Sequence, residues 1–476
     1  MKFKGGYNIL LEGRPAAEVK RLIEPKELYI PLSSRRFSFS EVLVEQGQHV
    51  EDGDVLAKDP DNYGVPLLAA RGGIVNVDKA DGHIVLTDIF PPKGKTYVPE
   101  KDLPHIVKEM GTAGMKRHKL LSLGAWQFFS DAYTGRLPDP LGKPQAIIAS
   151  TVSLEPFVAR GDAQLKNRLL QFTRGLEHLQ SFLEYQPIYL VMPDISSSFA
   201  SNVRKHIRGY AWAKLIEIPL KYPYDNFNLL ARRLGLKKDA GPIWCIRTEG
   251  LLAIDRVLTV SKPCLVRIIS IGGPGVVSPV HLKAMTGYPV QSIIDKYASS
   301  PGVRIINGGI LDGQAVSPDV LGVCTECRGL TVLPEHHERE FLGFVRPGWD
   351  RHSYSECFLS SLRKSFRERL DTAVRGELRP CISCNFCEEV CPAGIMPHLI
   401  HKYLYRDLIE EVDHARVDLC VECGLCSYVC PSKIELRSQF IKAKQLIEEE
   451  KEEIRLEKMR EEEMREQAHS KQESPK

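Results

Sequence analysis

Eight of the thirteen cysteines in this 476-residue chain fall into two copies of one pattern, C-x2-C-x2-C-x3-C-P. The first runs through Cys381, Cys384, Cys387 and Cys391 to Pro392, the second through Cys420, Cys423, Cys426 and Cys430 to Pro431. Three thiolates at i, i+3 and i+6 wrap a short loop around one corner of an iron–sulfur cubane. The fourth, set before a proline, reaches the neighbouring cluster. One [4Fe–4S] cluster is therefore expected on Cys381, Cys384, Cys387 and Cys430, and a second on Cys420, Cys423, Cys426 and Cys391. Zinc and disulfide bonds compete for these thiols, but zinc sites rarely need a fourth cysteine at this offset, and here it occurs twice. The chemistry expected is electron transfer, and no side chain is singled out as catalytic.

Smaller constellations carry weaker signals. Cys324 and Cys327 form an isolated C-x2-C, which reads as two thiols in a turn, or as a redox dithiol or half a metal site completed by His336, His337 or Cys357. Cys245 and Cys264 follow apolar neighbours and read as core residues. Gly272, Gly273 and Gly275 could cradle a phosphate, although glycines around a proline turn are more often structural. His398 and His401 lie near the clusters, where a hydrogen bond to sulfur would tune potential; surface histidines are the plainer reading. Glu388, Glu389 and Glu422 flank the ligands and would lower potentials if ionised.

The elements that must hold these residues exceed one domain in length. A formal net charge of +3 points to no nucleic-acid partner. Cluster thiols need a reducing compartment, so a cytoplasmic setting is expected. The N-terminus lacks a signal-peptide core, and no apolar stretch is long enough to span a bilayer; Ile268 to Val280 is broken by glycine and proline. Membrane attachment is thus expected only through partner subunits.

The fold expected is multidomain, α/β and β. Residues 1–100 alternate short strands with turns at Gly47 and Gly53. They resemble a lipoyl-type barrel-sandwich whose hairpin, Ala69 to Gly73, lacks a carrier lysine. Residues 101–144 read as a helical connector. Residues 145–261 alternate apolar runs (Ala146 to Thr151, Ile188 to Pro193, Leu215 to Pro219) with helical stretches, as a Rossmann-like domain does, yet no G-x-G-x-x-G follows any strand. The polar aromatic loop Lys221 to Phe227 reads as a packed turn or a partner contact. Residues 262–350 suggest a β-grasp domain with an extension. Residues 351–440 form the helical two-[4Fe–4S] ferredoxin-type domain, and 441–476 a charged helical tail, either solvated or partner-binding.

These modules in this order resemble two peripheral components of ion-translocating respiratory complexes. L-G-A-W-Q-F-F (Leu123 to Phe129), A-I-I-A-S-T-V-S-L-E-P-F (Ala146 to Phe157), I-I-S-I-G-G-P-G-V-V-S-P (Ile268 to Pro279), G-G-I-L-D-G-Q (Gly308 to Gln314) and Arg339 to Ser353 are similar to the A-subunit of the Na+-translocating NADH:quinone reductase. The dicluster domain is similar to that of the C-subunit of the Rnf electron transport complex. The resemblance implies a peripheral electron-transfer subunit beside integral-membrane and other redox subunits, exchanging electrons with an NADH dehydrogenase module, a ferredoxin or a quinone pathway. The Rnf C-subunit holds FMN and NADH on a G-x-G-G-A-G-F-P loop; the matching stretch here is L-L-S-L-G-A-W-Q-F-F, with Trp126, Phe128 and Phe129 in place of glycines. An NADH-oxidising FMN flavoprotein therefore stands as the alternative, as does a free-standing reductase.

Overall fold

The computed structural model describes residues 3–93, 104–183, 186–195, 197–317, 319–336, 348–349, 352, 354–356, 358–363, 366–372 and 378–472. They form two compact units. The larger takes the described residues of Asn8–His352 and Glu356–Arg375.

It begins with two antiparallel sheets. One orders the strands Leu28–Pro31, His83–Phe90, Gly72–Asn76 and His49–Val50; the other orders Glu41–Val42, Val55–Asp59 and Val65–Leu68. The tight turns between these short strands need a left-handed backbone, which Gly47 (φ 80°) and Gly53 (φ 90°) adopt without a Cβ clash. Leu28, Ile30, Leu56, Leu67, Ile84 and Leu86 are fully buried between the strands. Val19–Arg21 lies outside these sheets, paired in parallel with Val280–Met285.

The central sheet runs Ala213–Ile218, Ile188–Pro193, Ala146–Ser150 and Ile243–Arg247, all parallel. Helices on its faces explain why Ala146–Ser150 is buried at every position rather than at alternate ones. Helices Leu169–Ser181 and Thr248–Val260 pack closely, since a Cβ on Gly175 would stand 2.2 Å from the Leu251 carbonyl oxygen. Of the stretch read as a connector, His105–Glu109 and Gly111–Ser122 are helical. Phe129–Asp131, however, joins the central sheet as an antiparallel edge strand against Ile243–Arg247.

A third, mixed sheet orders Val19–Arg21, Val280–Met285, Val266–Gly272, Gly329–Pro334, Val303–Asn307 and Gln314–Ala315. Helix Val290–Tyr297 connects Val280–Met285 to Val303–Asn307. Gly273 (φ 107°) donates its N–H to the Gly13 carbonyl, and a Cβ there would meet the Val332 carbonyl oxygen at 2.4 Å. These glycines therefore serve close backbone packing.

The smaller unit takes Phe3–Tyr7, the described residues of Ser353–Ser355, and those of Gly376–Lys476. Between the cysteine motifs lie helices Pro397–Leu404 and Ile409–His414; after the second motif comes Leu436–Gln472. Its core is Ile395, Ile400, Val412, Val417, Ile434, Leu436, Phe440, Ala443 and Ile447. The charged tail is thus the continuation of a helix whose first three turns are core. Beyond Ile447 every described side chain up to residue 462 is exposed. Among the described residues no helix is long and apolar enough to cross a membrane.

Two candidate cluster cavities

The two motifs fold as the same structure repeated 39 residues apart. In each, the residue before the second cysteine and the residue after it take left-handed conformations: Ser383 (φ 56°) and Asn385 (φ 63°), then Glu422 (φ 56°) and Gly424 (φ 78°). Asn and Gly are the residues that visit this region most readily. These kinks set the three leading cysteines of each loop around one cavity. One helical turn follows, Phe386–Glu389 or Leu425–Tyr428, and carries the chain to the fourth cysteine and its proline. A third left-handed residue, Gly394 or Lys433, then precedes the longer helix.

The fourth cysteines cross over. A cavity of about 350 Å3 is lined by Cys381, Cys384, Cys387 and Cys430, together with His398. The other, of about 360 Å3, is lined by Cys420, Cys423, Cys426 and Cys391, together with Arg437 and Phe440. A single zinc ion would draw its thiolates to about 2.3 Å from one centre. Four thiols around each cavity, with the fourth drawn from the other motif, are the donor set of a [4Fe–4S] cluster.

Electrostatics set how readily these thiols ionise. Burial pushes the Cys387 thiol up to about 12, and the neighbouring thiolates of Cys384, Cys430 and Cys381 add to the rise. Cys426 is raised by burial and by Cys423, Cys420 and Cys391. Metal binding here would be coupled to release of these thiol protons. Backbone N–H groups already face the sulfurs: Glu422 toward Cys420 at 3.4 Å, Leu425 toward Cys423, His398 toward Cys387, and Ala393, Gly394 and Ile395 toward Cys391. The first residues of the chain belong here too. Gly6 donates to the Val390 carbonyl at 2.8 Å, and a Cβ on Gly5 would stand 2.5 Å from the Cys391 carbonyl oxygen. Tyr7 packs against Tyr354 and Tyr428, with centroids 5.4 and 6.0 Å apart. His401 bonds Gln439 at 2.7 Å rather than lining a cavity.

Elsewhere the structure separates what the sequence left open. Cys324 and Cys327 sit at the ends of one turn, 8% and 1% exposed, and burial raises both thiols. Asn307 Nδ2 donates to Cys324 Sγ at 3.2 Å, and Cys327 Sγ faces the Gly329 carbonyl. His336 is exposed, with its N–H on Thr372; His337 and Cys357 lie outside the described residues. Cys245 is fully buried and Cys264 partly so. Trp126 and Phe129 are fully buried, their rings 4.6 Å apart and both edge-on to Trp244, and Trp126 Nε1 donates to the Pro138 carbonyl. Phe128 lies under the Arg267 guanidinium at 4.8 Å.

One constellation carries no sequence motif. Glu155, Asp225, Arg247, Asp312 and Arg328 meet near the carboxyl ends of Ala146–Ser150 and Ile243–Arg247, where the strand order reverses. Asp225 pairs with Arg247 at 3.2 Å, and Tyr222 and Tyr224 of the Lys221 to Phe227 loop are also buried. Glu155 Oε1 accepts from Leu311 and Asp312 N–H. Burial, then the Asp312 carboxylate, lift Glu155 to about 8, against a partial pull downward from Leu311, Tyr222 and the Asp312 N–H. Its only sequence signal was a glutamate two residues before an aromatic.

Residues 380–434 match the family model of the 4Fe-4S dicluster domain. The chain is 26% identical over 419 residues to the A-subunit of the Na(+)-translocating NADH-quinone reductase of Neisseria meningitidis, covering 86% of this chain and 89% of the relative. Its counterpart in Alcanivorax borkumensis is 26% identical over 361 residues (74% and 78% of the two chains), and that of Yersinia pseudotuberculosis 22% identical over 412 (86% and 89%). An NAD+-reducing [NiFe]-hydrogenase structure aligns with 61% of this chain and 64% of its own at 12% identity and a TM-score of 0.36, a likeness too low to bear on fold or function. The chain is therefore a sheet-rich α/β body similar to that reductase component, carrying a 4Fe–4S ferredoxin-type domain with an electron-transfer role in a redox complex.

Proposed function

We propose that this chain is a peripheral electron-transfer subunit of a membrane-bound, ion-translocating oxidoreductase of the Na+-NADH:quinone reductase or Rnf type, relaying single electrons through two [4Fe–4S] clusters. The observation that carries the reading is the pair of cavities with exchanged fourth cysteines. Cys381, Cys384, Cys387 and Cys430 hold one group, and Cys420, Cys423, Cys426 and Cys391 the other; each group, when bound, supplies a one-electron redox centre. The residues around them do the rest. Backbone N–H groups stabilise charge on sulfur, and Phe440 and Ile434 keep water away.

In this reading residues 1–100 are a barrel-sandwich docking module, 145–261 a Rossmann-like domain and 262–350 a β-grasp domain. Together they engage integral-membrane and other redox subunits at the cytoplasmic face. The packed aromatics at Trp126 and Phe129 support electron supply from another polypeptide over FMN and NADH on this one. Cys324 and Cys327 enter as thiols in a packed turn.

The test is direct. Reconstituted protein should be brown, hold about eight irons in its two four-iron clusters, and stay unbleached by NADH; yellow protein bleached by NADH points to the flavoprotein instead. Cys384→Ala and Cys423→Ala should each cost one cluster and stop electron flow in the assembled complex. Undiminished flow in either variant overturns the relay.

A further inference from the structure

The 39-residue repeat makes the two cavities comparable position by position, and it fails at the residues that carry charge. Arg437 lines the cavity of Cys420, Cys423, Cys426 and Cys391; its equivalent in the other cavity is His398. Arg437 Nε donates to the Glu422 carbonyl at 2.8 Å, so its guanidinium is held against the cysteine loop. Farther along the same helix, Lys444 Nζ reaches both the Cys420 carbonyl, at 3.2 Å, and Glu422 Oε1, at 2.5 Å. The residue in the place of Lys444 is Tyr405, 85% exposed, and in the place of Glu422 stands Ser383.

The second loop thus has two fixed cations against one carboxylate. The first has Lys402, whose Nζ donates to Ser383 Oγ at 2.8 Å, and Glu388, whose carboxylate lies 3.5 Å from His398 Nδ1. A guanidinium is charged at every working pH, whereas an imidazole is not. An added electron is stabilised by nearby positive charge, most strongly where water is excluded.

The geometry points to Arg437 as the residue that sets the order of potentials: the cluster in the Arg437 cavity is the better electron acceptor, and the cluster in the His398 cavity is the better donor. The inference rests on the two-cluster reading and adds to it a direction, from the Cys381 side to the Cys420 side. Lys444 supports it by neutralising Glu422.

Redox titration of the full-length, cluster-loaded protein, followed by electron paramagnetic resonance, tests it. Two separate midpoints are expected. Arg437→Gln should weaken reduction of the higher one by about tenfold, which is about 59 mV for one electron, and leave the lower in place. Arg437→Lys should restore it, and His398→Arg should raise the lower midpoint instead. Where Arg437→Gln fails to load, Lys444→Met, which frees the Glu422 carboxylate, should lower the same midpoint. Coincident midpoints in the unaltered protein, or substitutions at positions 437 and 398 that move the same signal, overturn the assignment. Iron and sulfide amounting to fewer than two clusters would instead refute the reading beneath it.

Discussion

At the scale of single residues, the two kinds of buried polar group in this chain behave in opposite ways. Burial raises the thiols of Cys387, Cys391, Cys420, Cys423 and Cys426, and a bound cluster would hold them as thiolates. Glu155 has no such remedy. It is buried with the Asp312 carboxylate close by, so ionisation is costly at any metal content. A carboxyl raised in the folded state takes up protons that the unfolded chain has released. This group's contribution to the larger unit's stability is therefore full below about pH 4.5 and is lost as pH rises toward about 8. Glu155→Gln, which keeps an acceptor for the Leu311 and Asp312 N–H groups, should flatten that slope. The gain above pH 8 should be on the order of 1–3 kcal/mol. Thermal melts of both proteins from about pH 5 to 9, spanning the shifted carboxyl, check it; parallel curves would show that Glu155 ionises freely.

At the scale of elements, the long helix Leu436–Gln472 divides by what it touches. Its first turns bury Leu436, Phe440, Ala443 and Ile447, and Phe440 also walls a cavity. Phe440→Ala should cost about 3–5 kcal/mol of that unit's stability and speed iron loss to a chelator, chiefly from the Cys420 side. Ending the chain after residue 448 should leave iron content and its loss rate unchanged, because every described side chain from there to residue 462 is exposed. The cysteines could be grouped from sequence because a cubane dictates loop spacing, and the apolar strands of the central sheet because burial on both faces leaves runs of Ile, Val and Ala. Phe129–Asp131 was not legible as a strand: L-G-A-W-Q-F-F has no period, and its pairing with Ile243–Arg247 is a tertiary choice. The Glu155 cluster was hidden for a similar reason, since its members lie far apart in sequence and meet only when the sheet forms. Arg437 and His398 could have been matched by shifting one motif onto the other, but only the cavities show that both residues line the space among the thiols.

At the scale of the molecule, the smaller unit is discontinuous: Phe3–Tyr7 belongs with residues that follow Gly376. A fragment of residues 378–472 has all eight ligands and should take up iron, yet it lacks Gly6 on the Val390 carbonyl and Tyr7 against Tyr354 and Tyr428. Its iron should leave for a chelator several-fold faster than from the full chain, and Gly5→Val in the full chain should bring the rate toward the fragment's. Equal rates would mean that the N-terminal segment is a bystander. A ribosome delivers that segment well before its docking site. The body between them can fold while the leading residues stay unclaimed, and the cluster unit closes only once the second motif has emerged. A chain that stops before Cys426 completes neither set of four cysteines, so it presents no finished iron site.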